Sequence, residues 1–111
     1  MALKMADFRK SEPPFGLTED DYVDQQALVG KPIEIRGALF FENMKGKGVY
    51  ILFTFPGEDV QHYTTSHAGG VIRSLEYPDL LALLEEGEVL EATLNVRPSK
   101  NDKTKTVWEF I

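Results

Sequence analysis

Half of the basic side chains in this sequence lie in two short polar segments, where they could contact phosphate groups. The chain has 111 residues, of which twelve are Lys or Arg, and a formal net charge of −6. Cations spaced along a groove can follow the phosphates of a nucleic acid, although a single loop lysine is usually only solvated. We predict phosphate contacts from Lys45 and Lys47 in the segment NMKGKG, and from Arg97, Lys100, Lys103 and Lys105 in or beside residues 98–105.

Aromatic residues in the predicted strands add a second kind of contact, because bases stack on flat rings with about 1–3 kcal/mol per base. An Arg side chain can both pair with a phosphate and stack on a base. For each ring, packing in the core is the alternative. We predict a stacking platform of Arg36, Phe40 and Tyr50 on the outward face of the first two strands, joined by Tyr63 and Trp108.

Other chemistries have weaker support in the sequence. Asp59, His62 and His67 lie within nine residues, but the two histidines are five residues apart across a strand end, which fixes no shared metal geometry. The hydroxyl residues 64–66 lie near these histidines without a nucleophile elbow. We therefore expect no catalytic residue, no metal and no cofactor. Without cysteine the chain has neither disulfides nor thiolate ligands.

The charges are segregated along the chain. Residues 1–30 carry a net charge of −3 and residues 68–92 a net charge of −5, so the remaining residues sum to +2. An acidic total argues against a nucleic-acid ligand, since such domains are usually basic. The segregation, however, predicts an acidic back and a mildly basic front.

Hydrophobic periodicity predicts the elements that must position these groups. Alternation with period two predicts strands over residues 33–41, 49–55, 60–66, 88–96 and 106–111, and helical spacing covers residues 68–86 with a break at Tyr77-Pro78. In the first strand the alternation places residues 33, 35, 39 and 41 on one face and residues 34, 36, 38 and 40 on the other. Gly37 is the residue expected at a β-bulge.

The order of these elements predicts a mainly β fold. Five strands with a helical insert between the third and the fourth match an OB-like Greek-key barrel, and an open α+β sheet is the alternative. Residues 31–111 would form the barrel. Residues 1–30 would form an acidic arm with a short helix from Glu19 to Leu28, capped by Thr18 and ended by Gly30.

Three stretches give a family resemblance over roughly residues 22–111. LVGKPIEI opens the first strand, YTTS is followed by GGVIRSLE, and EATLNV precedes a basic turn and an aromatic strand. In these stretches the chain resembles the small OB-fold single-stranded-DNA-binding proteins of phages and mobile elements. The resemblance implies a small OB barrel and binding of single-stranded DNA.

We therefore expect a non-enzymatic, cytoplasmic protein that binds single-stranded nucleic acid without sequence preference and has no membrane partner. DNA and RNA both stay open. The apolar strand VYILFTF leaves a homo-oligomer open as well. The alternative function is a protein-interaction module whose acidic surface binds a basic partner. We also hypothesise that the acidic arm occupies the basic face in place of phosphate.

Overall fold

The computed structural model describes residues 14–102 and 104–111, and these form a mainly β fold with two helices. The strands are β1 (Pro32–Asn43), β2 (Gly46–Thr54), β3 (His62–Ser66), β4 (Leu90–Pro98) and β5 (Thr106–Phe110), and the helices are α1 (Gly69–Leu75) and α2 (Pro78–Glu85). The predicted five strands and the helical insert between β3 and β4 are thereby confirmed. None of the helices described is long and apolar enough to cross a membrane.

The strands form one antiparallel sheet in the order β3-β2-β1-β4-β5. β1 pairs with β2 over most of its length, but with β4 only over its first four residues, from Pro32 opposite Thr93 to Ile35 opposite Leu90. The second half of β4 pairs with β5 instead, from Leu94 opposite Phe110 onward. Among the described residues no ladder joins β3 to β5. The sheet is therefore continuous from β3 to β5, with β1 in the middle.

A β-bulge in β1 confirms the prediction made from Gly37. The pairing with β2 shifts between Ile35 and Gly37, so that Arg36 is an extra residue in the ladder. An extra residue reverses which face each following side chain occupies, since side chains alternate with period two.

The reversal makes the predicted facing of the second half of β1 wrong. Leu39 and Phe41 were expected to continue the inner face that Ile33 begins. Instead Ala38 and Phe40 pack against the core, while Leu39 is 48% exposed on the opposite face. The sequence prediction placed the bulge correctly but did not include the exchange of faces that the bulge causes in the residues after it.

The core lies on one side of the sheet and is covered by the helices. β2 contributes Val49, Ile51 and Phe53, all buried as its period-two pattern predicts. β4 contributes Ala92 and Leu94 in the same way. Full burial of an aliphatic or aromatic side chain stabilises the fold by about 1.5–3 kcal/mol. We call the opposite side of β1–β3 the outer face.

The helical insert breaks where Tyr77-Pro78 predicts. Pro78 begins α2, where its missing N–H costs no hydrogen bond. Gly87 follows the end of α2 with a φ of +94°, a conformation that glycine adopts readily. α1 packs against β5 so closely that a Cβ added at Gly70 would lie 2.2 Å from the carbonyl oxygen of Trp108. Only glycine fits at that position.

The N-terminal segment, residues 14–30, does not form the single helix predicted from Glu19 to Leu28. Two 3-10 turns, Glu19–Asp21 and Gln25–Leu28, are separated by extended backbone at Tyr22. Tyr22 bridges to Tyr63 of β3, an interaction distant in sequence that a helix would not allow. Leu28 is buried in the core, so this segment is part of the packed structure.

Candidate nucleic-acid interface

A row of aromatic rings crosses the outer face of β1–β3. Phe41 of β1 stacks on Tyr50 of β2 with ring centroids 4.5 Å apart and planes at 29°. Tyr50 meets Tyr63 of β3 edge to face at 6.5 Å. His67, just beyond β3, meets the edge of Phe41 at 5.5 Å. We call Phe41, Tyr50, Tyr63 and His67 the aromatic row.

Cross-strand register explains why these rings meet. Residues directly opposite each other on neighbouring strands share a face. Leu39 lies opposite Tyr50, and Leu52 lies opposite Tyr63. Phe41 lies opposite Gly48, whose missing side chain leaves room for the ring: a Cβ at Gly48 would lie 2.5 Å from Cζ of Phe41.

The turn between β1 and β2 places Lys45 and Lys47 next to one end of the row. The Asn43 side chain accepts a hydrogen bond from the Lys45 N–H at 2.9 Å, which orders the turn. The Lys47 carbonyl lies 3.2 Å from Nδ1 of His67. Lys47 itself forms an ion pair with Glu76 at the end of α1. Lys45 is exposed and forms no ion pair with a described residue. The backbone of the turn thus adjoins the aromatic row at His67, whereas the Lys47 side chain lies on the Val49 side of β2, where its partner Glu76 ends α1.

Arg36 also lies on the outer face, as predicted, where the bulge places it. Its Nε donates to Oγ1 of Thr54 at 3.1 Å, and a guanidinium nitrogen lies 4.0 Å from a Glu34 oxygen. The contact with Thr54 holds the guanidinium through its Nε. The side chain remains 37% exposed, which leaves part of the guanidinium accessible to an anion.

The second basic turn, between β4 and β5, is at the opposite end of the sheet. Counted along the register, Pro98 lies five residues beyond the start of β1, whereas the β1–β2 turn follows the end of β1. A straight strand of that combined length would span about 50 Å. Lys100 and Lys105 are exposed there. Lys103 lies outside the described residues. Register therefore places the two groups of cations at opposite ends of the paired strands β1 and β4.

Arg97 points to the outer face of β4 and is paired there. Its Nε donates to a carboxylate oxygen of Glu109 on β5 at 2.9 Å. This hydrogen bond from Arg97 holds the pKa of Glu109 below its ordinary value. A phosphate that binds Arg97 would therefore have to compete with a carboxylate.

Two predicted stacking residues point the wrong way for that role. Phe40 follows the bulge and packs against the core. Trp108 lies opposite Val96 on the inner side of β4–β5 and also packs against the core. For both rings the alternative stated from the sequence, core packing, is the one found.

Three residues of this surface were missed by the sequence prediction. Phe41 could have been found by extending the period-two alternation across the bulge at Gly37, which exchanges its face with that of Phe40. Tyr22 packs its ring on Tyr63 with centroids 5.4 Å apart, and His67 meets Phe41. Both contacts depend on tertiary structure and have no signal in the local sequence.

Tyr63 is nearly buried within the aromatic row. It is 7% exposed although it lies outside the cluster of core side chains. Burial raises the pKa of Tyr63, and the nearby carboxylates of Glu19 and Asp21 raise it further. The N-terminal segment thus brings negative charge to one end of the aromatic row.

No family model matches this chain, and no curated protein or solved structure gives a match either.

Proposed function

We propose that this protein binds single-stranded nucleic acid, without sequence preference and without catalysis, on the outer face of β1–β3. The aromatic row beside the β1–β2 turn is the observation that carries the proposal. Stacked rings bind bases of any identity, and adjacent lysines bind phosphates, which is the combination used by sequence-tolerant single-strand binders.

The strand order supports an OB-like interpretation of the fold. β3-β2-β1-β4-β5 is the order obtained when a five-stranded OB barrel is opened between β3 and β5, and the helices lie between β3 and β4 as in that fold. OB-folds bind oligonucleotides on the face of strands 2 and 3, together with the turns that follow strands 1 and 4. Tyr50 and Tyr63 of the aromatic row lie on β2 and β3, and the two basic turns follow β1 and β4, which supports the comparison with that fold.

The distribution of cations makes the binding depend on salt. Arg36 lies on the same face as the rings and Lys45 in the turn that follows β1, while Lys47 must exchange Glu76 for a phosphate. Lys100 and Lys105 extend the surface at the far end of β4–β5. A short oligonucleotide would engage the aromatic row and the β1–β2 turn, and a longer one would also reach the second turn.

Fluorescence anisotropy with a labelled oligo-dT of about 15 nucleotides, within the site size of one OB domain, tests the proposal. We expect binding by the full chain at about 50 mM salt and roughly tenfold weaker binding by Tyr50→Leu, which loses one stacking ring. Tyr77→Leu is the matched control, because Tyr77 is 64% exposed at the start of α2, away from the row. If the full chain does not bind under conditions in which an established single-strand binder does, the proposal is refuted. If Tyr50→Leu and Tyr77→Leu lose the same affinity, the site is not at the aromatic row.

An apolar cleft favours a second candidate, the protein-interaction module. The cleft of about 190 Å³ lies between α2 and the start of β4 and is lined by Leu80, Leu83, Leu84, Glu88, Val89 and Leu90. Acidic residues 85, 86 and 88 at the end of α2 suit a basic amphipathic helix as the partner. A synthetic Lys/Leu amphipathic peptide should bind the chain, and Leu83→Ser should weaken that binding. Leu39→Ser, at a similarly exposed leucine on the outer face, should leave it unchanged.

A further inference from the structure

A segment of this chain lies on the surface proposed for nucleic acid. We call residues 14–24 the strap. Its first contact is Phe15, whose ring lies over Gly37 on the outer face: a Cβ added at Gly37 would lie 3.4 Å from Cε1 of Phe15 and 3.6 Å from the Leu52 side chain. Gly37 therefore supplies the space into which the ring fits.

The backbone of Phe15 indicates that this contact is favourable enough to offset local strain. Its φ is +61°, in the left-handed region that a bulky residue rarely adopts. Such conformations persist when surrounding contacts hold them, and they are frequent at ligand clamps and switch regions. Gly16 follows at a φ of +70°, so two consecutive left-handed residues turn the chain back along the sheet.

The second contact is at the edge of β3. The Val23 N–H donates to the Tyr63 carbonyl at 2.9 Å, and the Tyr22 ring packs against the Tyr63 ring. Tyr22 is itself 43% exposed. The strap thus covers one end of the aromatic row with a ring of its own and leaves Phe41 at the other end uncovered by these contacts.

The third feature is charge. Between the two contacts the strap carries Glu19, Asp20 and Asp21, exposed or half-buried at the protein surface. Glu19 and Asp21 lie near enough to Tyr63 to raise the pKa of its phenol, after the larger effect of burial. The strap therefore alternates aromatic rings with carboxylates. A short single strand has the same chemical pattern, with bases in place of the rings and phosphates in place of the carboxylates.

We infer that the strap is an autoinhibitory element that competes with single-stranded nucleic acid for the outer face of β1–β3. The inference rests on the proposed function. Binding of a strand would require release of Phe15 from Gly37 and of Tyr22 from Tyr63. The apparent affinity of the full chain is then the intrinsic affinity reduced by the fraction of molecules in which the strap is released.

Three full-length variants test the inference by anisotropy with the same oligo-dT. Phe15→Ala and Glu19→Gln should each lower the apparent dissociation constant, by about fivefold for Phe15→Ala, because the uncovered fraction rises. Asp20→Asn is the matched control: it removes the same charge from the same 3-10 turn, but Asp20 does not perturb Tyr63. It should change affinity by less than about twofold, the effect of net charge alone.

Hydrogen exchange of the Val23 amide gives a second readout on the parent protein. Saturating oligo-dT should speed exchange of this amide, because strand binding breaks its bond to Tyr63. Protection that persists at saturation, or a folded Phe15→Ala protein that binds no more tightly than the parent, overturns the inference and leaves the proposed function standing. If Phe15→Ala fails to fold, the affinities of Glu19→Gln and Asp20→Asn decide. Tighter binding by Glu19→Gln than by Asp20→Asn supports the inference, and equal affinities overturn it. If neither the parent nor any variant binds oligo-dT, the proposed function fails and the inference fails with it.

Discussion

The ring of Phe41 occupies the space that a side chain at position 48 would need. A Cβ at Gly48 would lie 2.5 Å from Cζ of Phe41 and 2.9 Å from Cε1 of His67. The glycine lies directly opposite Phe41 on β2, so the ring extends over the neighbouring strand and reaches Tyr50. The positions of Phe41 and His67 in the aromatic row thus depend on one missing side chain.

Gly48→Ala should therefore disturb both stability and binding. The methyl group would push Phe41 off Tyr50 and cost about 1–3 kcal/mol of unfolding free energy, as overpacking does. Oligo-dT affinity should fall in parallel. Urea denaturation and anisotropy measure the two effects. Unchanged oligo-dT binding by a folded Gly48→Ala protein would show that the Phe41–Tyr50 stack is not part of the site.

Gly70→Ala should destabilise the fold through the contact between α1 and β5. The new Cβ would lie 2.2 Å from the Trp108 carbonyl oxygen, which is backbone and cannot rotate away. We expect a loss of about 1–3 kcal/mol or more in urea denaturation. Gly69→Ala is the control, because its nearest neighbour would be an Arg73 side-chain nitrogen at 3.8 Å, and it should be within about 0.5 kcal/mol of the parent. Equal stability of the two variants would contradict the close packing of α1 on β5.

The β1–β2 turn should set part of the salt dependence of binding. Each phosphate neutralised contributes about −0.7 to the slope of log K against log salt for a single strand. Replacing Lys45 and Lys47 together with Gln should make the slope shallower by up to twice that amount. Lys45→Gln alone should account for at least half of the change, since Lys47 has to leave Glu76 before it can bind a phosphate.

Lys31→Gln is the matched control for this experiment. Lys31 is exposed and lies just before β1, about 40 Å of strand away from the β1–β2 turn. Its replacement should leave the slope with a short oligo-dT unchanged. A double variant whose slope equals that of the parent would remove both turn lysines from the proposed interface.

Acid titration should reveal the pairing of Arg97 with Glu109. The hydrogen bond from Arg97 lowers the pKa of Glu109 from its ordinary value of 4.5. A carboxylate whose folded-state pKa is depressed stabilises the fold above its unfolded pKa, and this contribution is lost as pH falls through the folded pKa. The stabilisation should therefore begin to fall near pH 4.5 and be gone once the pH is below the lowered pKa of Glu109.

NMR titration of the Glu109 side-chain carboxyl carbon measures this directly. In Arg97→Gln the pKa of Glu109 should rise toward its ordinary value. Arg36→Gln, which removes an equal charge on the outer face of β1, should leave it where it is. A Glu109 pKa that does not respond to Arg97→Gln would mean that the ion pair is not populated in solution.

Elements with an uninterrupted pattern could be predicted from the sequence, because burial on one face repeats every second residue. β2 and β4 follow this rule, and Pro78 and Gly87 mark the limits of α2 by their backbone constraints. β1 could be predicted only up to its bulge. Beyond Arg36 the same residues point to the opposite faces, and so Phe40 and Phe41 exchange roles.

The candidate site was less predictable, since its parts meet through tertiary contacts. Tyr50 and Tyr63 were identified from their strands, but the partners that complete the row, Phe41 and His67, depend on the bulge and on the path of the chain after β3. Trp108 faces the core because it lies opposite Val96 of β4, a register that no local pattern indicates. The strap has no period at all, and its extended backbone at Tyr22 follows from the β3 edge it meets.

The hydrogen bond between Val23 and Tyr63 also has a consequence for self-association. Backbone groups along the edge of a sheet can pair with strands of other chains, and proteins commonly cover such edges. Here the segment that covers the β3 edge at Tyr63 is the strap, which also lies over the aromatic rings. Any event that lifts residues 14–24 would expose aromatic surface and open the edge of β3 at the same time, so that a ligand-bound molecule would be able to extend its sheet into a neighbouring copy.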